Sequence, residues 1–565
     1  MSSAPTTCAV SQGLAARATL IRAPPGLPSV LVSATVRRAV AVVIGPAVLY
    51  LGFFSLYTWP WVAHPSTVFF TDTGDGYQNV WNMWWINRSV TVLHQLPWHT
   101  TALHFPYGTS LLGQTMNPFN GFVGIVLLRA MPLVVAFNVM VVFSFVATGV
   151  TGFWLCRRFC GAYIPALIGG FFITFSAYHL SKTLGLMQLV SLEWVPLFLL
   201  LWWRLLERPT VRLAVGTAVT LALVVLCDYY YFLFSVLAGV AILVHLWRRR
   251  ELHLERRSAG AFCVLSALLA LPLPVALAVS NLSDPMGGGH ASASSDLLAL
   301  VLDGGHWRFS SLTRWYWGPT PTTAGDSTIY LTVTVLALLG AAVVLHRRLG
   351  PHASFWLSFA GVTAVLSLGP RLVVHGHDTG LPLPFALLRA AIPILQYNVE
   401  PARISMLTTL AAGVLSALVL SRLDLATTGG RVVTGAVCVG LIFELWPASP
   451  PNTPVTRPAY VAALRRLPPG GVIDDAATAN GRIDKSLQLY DQVLDGQPLA
   501  FGYISRYPAT VLAADARLAT AIARDAYPTL CHEGFRYLTT PATRPLPGSL
   551  HVLYDDGSDI IYGLC

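Results

Sequence analysis

Long uncharged apolar runs alternate with short breaks that carry arginine, and this alternation constrains the fold more than any motif does. Residues 39–62 contain neither an acid nor a base. Further apolar runs, with at most one acid each, occur at 132–155, 162–178, 192–203, 213–227 and 230–246, then at 261–279, 328–345, 354–368, 404–420 and 432–445. A helix needs about 20 apolar residues to cross a bilayer core. The expected fold is therefore an all-α polytopic membrane protein with about eleven spans. Composition agrees, since only 11% of the 565 residues are charged, against roughly a quarter in soluble domains.

The breaks fix an expected orientation. Arg37–Arg38, Arg157–Arg158, Arg204 with Arg208 and Arg212, Arg248–Arg250, Arg256–Arg257, Arg347–Arg348, and Arg422 with Arg431 fall in alternate loops. Roughly eighteen basic residues lie on that side against about eight on the other, which places those loops and the N-terminus in the cytoplasm. Residues 1–36, rich in Ala, Ser, Thr and Pro, read as a disordered cytoplasmic tail. The net charge of +10 is spread through these short clusters and forms no single patch, which excludes nucleic-acid binding as the purpose of the charge.

The three long loops, 63–131, 280–327 and 369–403, all fall on the outer face. Within them, 119–128 and 384–395 are too short to span and read as re-entrant or surface helices. Residues 448–458 form a Pro-rich linker. Beyond it, 459–565 reads as a small extracytoplasmic α/β domain, with helical spacing at 460–467 and 513–524 and strands at 471–473 and 535–538. A hairpin is expected over 551–562 around Asp555-Asp556-Gly557. Cys531 and Cys565 alone share this region, and an oxidising compartment permits their pairing. Two buried thiols are the other reading.

Chemistry is expected at the start of the first outer loop. Asp72 and Asp75 stand among glycines, and a helix begins at about Tyr77, placing Tyr77, Gln78 and Trp81 beside them. Two readings are open for the acids. One is helix capping, since Asp is a favoured cap. The other is a general base, Asp75, supported by Asp72. Two acids three residues apart also form a minimal pair for a divalent cation. Arg403 lies where the fifth outer loop re-enters the membrane and is a candidate for binding phosphate oxygens with its planar fork, with His179 and Lys182 as further candidates. Glu193 and Asp228 are acids at span ends, where charge is costly and tends to face a cavity. His104, Tyr107 and Asn117 supply polar groups in the first loop for a sugar.

The stretch Thr71-Asp72-Thr73-Gly74-Asp75-Gly76-Tyr77-Gln78, with the Trp, Tyr-Gly and Asn-Pro that follow it, resembles the polytopic GT-C-type glycosyltransferases, in a bacterial branch of that class. The resemblance covers the membrane portion in architecture and only short motifs in sequence. It implies an inverting transfer of sugar from a polyprenyl-phosphate donor, with the early-loop acid as base, at the outer face of the bacterial inner membrane. Asp75 is the position that matches, and Asp72 is second. The later acidic pair of metal-dependent members is missing, which leaves metal use open. The acceptor would be an envelope glycan, lipid or protein. A transporter or flippase of a lipid-linked precursor, and a non-catalytic envelope assembly protein, are the alternatives. The first calls for paired interrupted helices in two matching halves, and no such repeat is seen.

Overall fold

The computed structural model describes residues 39–287, 293–318, 329–392, 395, 400–479, 482–544, 546 and 550–565. The expected tail, 1–36, lies outside them. The chain forms a helical bundle on which a mixed α/β region is seated, as the element order makes plain.

The axis of the bundle is the helix Ser405–Leu420, in which every residue is buried. It packs against Tyr163–Phe175, Leu133–Cys160, Ala353–Ser367 and Val333–Leu345. Close approach is possible because glycine faces glycine: a Cβ on Gly169 would lie 2.6 Å from the Gly413 carbonyl. Small residues of this kind are what allow helix backbones to meet in a bilayer, where apolar burial gives no net drive.

Among the described residues six helices are long and apolar enough to cross a membrane: Val40–Tyr57, Leu133–Cys160, Tyr163–Ser181, Met187–Glu207, Tyr229–Arg248 and Pro401–Leu420. The expectation of about eleven is thus met in part, and the shortfall has physical causes. The apolar run 261–279 is not one rod, because Arg256–Leu269 and Pro272–Ser283 meet at a 47° bend. Pro272 and Pro274 lack the amide that would continue the ladder. Val211–Cys227, Val333–Leu345 and Ala353–Ser367 are apolar but hold only 17, 13 and 15 residues. At 1.5 Å per residue these measure about 20–26 Å, short of the roughly 30 Å core. The run 432–445 lies in Thr428–Glu444, another helix of 17 residues. In the long loops expected to face outward, Pro118–Leu127 and Pro384–Ala391 are short helices.

Residues 459–565 contain a four-stranded sheet in the order 551–555, 559–563, 535–541, 471–474. Strand 471–474 runs parallel to 535–541, and the other pairs are antiparallel. The hairpin turns at Gly557, whose φ of +81° suits a residue without a side chain. Cys531 and Cys565 are disulfide-bonded.

Strand pairing and helix packing fasten this region to the bundle. The stretch before it does not hang free: Thr453–Pro454 pairs with Val68–Phe69, just upstream of Asp72. Tyr507–Pro508 pairs with Met286–Gly287. The helix Lys485–Asp495 packs on the helix Asp75–Thr91. There Tyr77 stacks on Tyr490, with ring centroids 4.5 Å apart, and the Trp81 indole N–H donates to Gln492 Oε1 at 2.6 Å. The aromatic stripe of Asp75–Thr91 is therefore a buried joint between the bundle and the α/β region, with Tyr77, Trp81 and Trp85 all buried.

Candidate active site

The helix Asp75–Thr91 starts two residues earlier than expected, with Asp75 in its first turn. The two acids at its head separate in role. Asp72 Oδ1 accepts from the Gly76 N–H at 2.9 Å, which is the capping arrangement that satisfies an otherwise open helix amide. Burial raises the Asp72 carboxyl above the ordinary carboxylate value. The Gly76 N–H works against that shift and the Asp75 charge adds to it. Asp75 caps nothing through its side chain; its Oδ1 accepts the phenol O–H of Tyr503 at 2.5 Å.

The turn carrying both acids rests against the loop that follows Lys182. Gly185 has a φ of +89°, and a Cβ there would lie 2.7 Å from Asp72 Oδ1 and 3.0 Å from Asp75 Cβ. Only glycine fits this position. Asn79 locks the contact, its Nδ2 donating to Gly185 O at 2.7 Å and Asp75 O at 2.9 Å.

A group of cations and aromatic rings stands at the same end of the bundle. Asp228 caps the helix Tyr229–Arg248, accepting from the amides of Tyr230 and Tyr231 at 2.7 and 3.0 Å. The Arg403 guanidinium lies within electrostatic reach of Asp228 and sits 5.2 Å from the centre of the Tyr230 ring. Arg506, from the α/β region, donates to the Tyr230 hydroxyl at 3.0 Å. Two arginines distant in sequence thus share one tyrosine. An arginine fork suits phosphate oxygens in a way a lysine does not.

The other sequence candidates divide clearly. Lys182 is fully buried with its ammonium 4.6 Å from the Tyr178 ring centre. His179 serves the backbone: its two ring nitrogens lie 2.7 Å from Thr174 O and 2.8 Å from Val190 O, and its ring stacks on Phe145. That geometry leaves no ring nitrogen for a donor phosphate. Glu193 is fully buried, and its carboxylate faces the Ser144 hydroxyl. Asn117 adopts a left-handed backbone and caps Pro118–Leu127 through Asn120 N, while its Nδ2 donates to Ser191 Oγ at 2.9 Å. Its amide is thereby committed to holding two segments together. His104 is buried against Asp515 at 2.9 Å, and Tyr107 is exposed with Arg517 near its ring.

Gln78 lies one turn after Asp75 and links three segments. Its Nε2 donates to Tyr503 O at 3.1 Å, and its Oε1 accepts from Thr115 and Ser505 hydroxyls at 3.0 and 3.3 Å. Sequence reasoning missed Tyr503, Ser505 and Arg506. The only local signal was the aromatic run Phe501-Gly502-Tyr503-Ile504-Ser505-Arg506-Tyr507. Among the described residues no group of three or more His, Cys, Asp or Glu gathers to hold a metal; Asp72 and Asp75 are a pair only.

An apolar groove of about 370 Å³ flanks the strand leading to Asp72, lined by Leu51, Val62, Phe70, Val139 and Phe143 among others. Leu51, Val139 and Phe143 are partly exposed on apolar helices, so the groove is open at the side of the bundle.

Comparison with solved structures places this arrangement in a known fold. The arabinofuranosyltransferase AftD from Mycobacteria superimposes with a TM-score of 0.54 at 17% identity, covering 94% of this chain and 40% of AftD. A mutant form of AftD gives 0.56 at 14% identity, covering 94% and 41%. The chain thus spans about two fifths of the length of AftD. Its fold is that of the GT-C glycosyltransferases, and it is a multi-pass membrane protein. Comparison with curated proteins finds no match. A family model described as a domain of unknown function matches residues 47–395, more than half of the sequence, and the chain belongs to that family, DUF6311.

Proposed function

We propose that this protein is a membrane glycosyltransferase that takes sugar from a polyprenyl-phosphate donor and uses Asp75 as general base. The observation that supports the reading is that Asp75 stands at the head of a helix in the long loop after the first apolar helix of a GT-C fold. Its neighbour Asp72 is already committed to capping that helix. In the reaction, Asp75 accepts the proton of an acceptor hydroxyl as that oxygen bonds to the anomeric carbon. The bond from that carbon to the phosphate oxygen breaks, its electron pair leaves with the polyprenyl phosphate, and the centre inverts.

Arg403, beside Tyr230 and Asp228, is the residue that meets the phosphate and its growing charge. The lateral groove beside Phe70 takes apolar chain arriving from the bilayer. The acids lie at the outer face of the bacterial inner membrane, with the N-terminus in the cytoplasm and residues 459–565 outside, as the arginine distribution requires. The acceptor is an envelope glycan, lipid or protein.

The test uses purified protein in nanodiscs with radiolabelled polyprenyl-phosphate pentoses and hexoses and an envelope-glycan acceptor. Asp75→Asn should lower transfer by about 10²–10⁴-fold, the usual contribution of a positioned base, with the melting temperature unchanged. Wild-type turnover in that variant would remove the base. Repeating the assay in EDTA tests whether Asp72 and Asp75 also hold a divalent cation: full activity in chelator excludes it.

A further inference from the structure

We infer that Tyr503, carried by the α/β region, is a positioning residue that fixes the Asp75 carboxylate in its working orientation. The inference rests on the reading of Asp75 as base and adds that the bundle alone does not complete the site. A lone carboxylate in the first turn of a helix rotates about two side-chain bonds, and a general base performs only within hydrogen-bond reach of its proton. The Tyr503 hydroxyl removes that freedom by donating to Oδ1 at 2.5 Å. Among the described residues Oδ2 takes no hydrogen bond, so it is the oxygen left to meet an acceptor hydroxyl.

The phenol can do this because its own segment is held from several sides. The backbone carbonyl of Tyr503 accepts from Gln78 Nε2 at 3.1 Å, so the helix bearing Asp75 also grips the residue that orients it. Ser505 N donates to Gln114 Oε1 at 2.8 Å, and Ile504 is buried. Tyr507 closes the loop on itself by donating to Gly502 O at 2.9 Å. Pairing of Tyr507–Pro508 with Met286–Gly287 ties the far end to another outer loop. Burial, and after it the hydrogen bond to Asp75, raises the Tyr503 phenol above its ordinary value, so it remains a donor through the whole neutral range.

The contact spans 428 residues of sequence. It makes the α/β region part of the catalytic apparatus as well as a passenger on the bundle. Positioning should therefore appear in turnover and not in donor affinity, which Arg403 governs at a different residue.

The experiment compares wild type, Tyr503→Phe, Asp75→Asn and the double variant in nanodiscs, with radiolabelled polyprenyl-phosphate pentoses and hexoses as donors. Tyr503→Phe deletes one oxygen and leaves the ring. It should lower kcat by about 10²-fold, the scale of a misplaced catalytic group, with donor KM and melting temperature unchanged. Adding it to Asp75→Asn should cost nothing further, since the two act as one unit. A wild-type kcat in Tyr503→Phe beside an inactive Asp75→Asn would overturn the positioning role and leave the base intact. A rise in donor KM at constant kcat would also overturn it. Full activity in Asp75→Asn would bring down both readings together.

Discussion

The two ends of the helical bundle are built on opposite plans. At the arginine-rich end, charges meet their partners at short range and near solvent. Arg158 pairs with Glu207, Arg249 pairs with Glu251 two residues away, and His352 lies 3.7 Å from Glu251. At the other end, Asp75, Tyr230, Arg403, Tyr503 and Arg506 come from segments a hundred residues or more apart and meet while partly buried, Asp75 with Tyr503 and Tyr230 with both arginines. Exposed pairs contribute little to stability, whereas buried charge is tolerated only where something fixes it. The first end carries the arginine clusters on which the proposed orientation rests. The second holds polar groups in place against a cost, and that is where a reaction would be run.

If that contrast is sound, arginines at the two ends should differ sharply in effect. Replacing Arg403 with Ala should lower kcat/KM for a polyprenyl-phosphate donor by about 10²-fold, in line with the roughly 1.5–3 kcal/mol of a charge-assisted hydrogen bond. Most of the loss should appear as a raised donor KM. Arg403→Lys should recover only part of it, because an ammonium cannot reproduce the fork. Equal kinetics for Arg403→Ala and wild type would erase the distinction between the ends as far as phosphate is concerned.

The α/β region seated on the site end carries a second signature, this time in pH. Asp491 is buried, its Oδ2 accepting the Tyr460 hydroxyl at 2.7 Å and its Oδ1 lacking a partner among the described residues. Burial, with the Asp474 charge adding, pushes its carboxyl up to about 8. Asp495 is pushed up to about 8, chiefly by burial, and Asp474 to about 6, again by burial. Unfolded aspartates titrate near 3.9, so the folded region binds more protons than the unfolded chain from about pH 4 to about pH 8. Stability must therefore fall as pH rises through that window. Tryptophan fluorescence melts should give a lower Tm at pH 8.5 than at pH 5.5, and Asp491→Asn should flatten the slope. A Tm that rises over this range would contradict the buried-acid account.

How much of this was legible in the chain follows from the range of the interactions. Apolar runs and arginine clusters report a local fact, the transfer of each segment into lipid, so the bundle and its basic end could be read directly. Gly74-Asp75-Gly76 likewise announced a helix start with an approachable acid, and Asp555-Asp556-Gly557 announced the hairpin. The span count of about eleven is met only in part because hydropathy measures polarity and not length: the 13 residues of Val333–Leu345 are as apolar as any span and fall below the roughly 20 of a crossing helix. The aromatic stripe after Asp75 was ambiguous for a related reason. A helical face of Tyr and Trp fits a lipid interface and a protein interior equally, and only the arrival of Tyr490 and Gln492 decides between them. Tyr503 and Arg506 left no periodic trace, since their partners at Asp75 and Tyr230 are set by tertiary packing alone.

The smallest expected effect sharpens the comparison from the other side. Arg158 and Glu207 are 30% and 18% exposed, and Glu207 also accepts the Trp203 indole N–H at 2.7 Å. Substituting Arg158 with Gln removes the cation but leaves Glu207 with that donor and with access to water. The carboxylate is then not stranded, and the cost should be about 1 kcal/mol or less. Donor KM and kcat should not move, because the strand leading to Asp72 meets the helix Leu133–Cys160 at Asn138, about 20 residues along the helix from Arg158. At 1.5 Å per residue that is about 30 Å, several times the Debye length at physiological salt. A change in kinetics for Arg158→Gln comparable to that of Arg403→Ala would mean that the two ends are coupled through the bundle, and the division of labour drawn from their geometry would have to be abandoned.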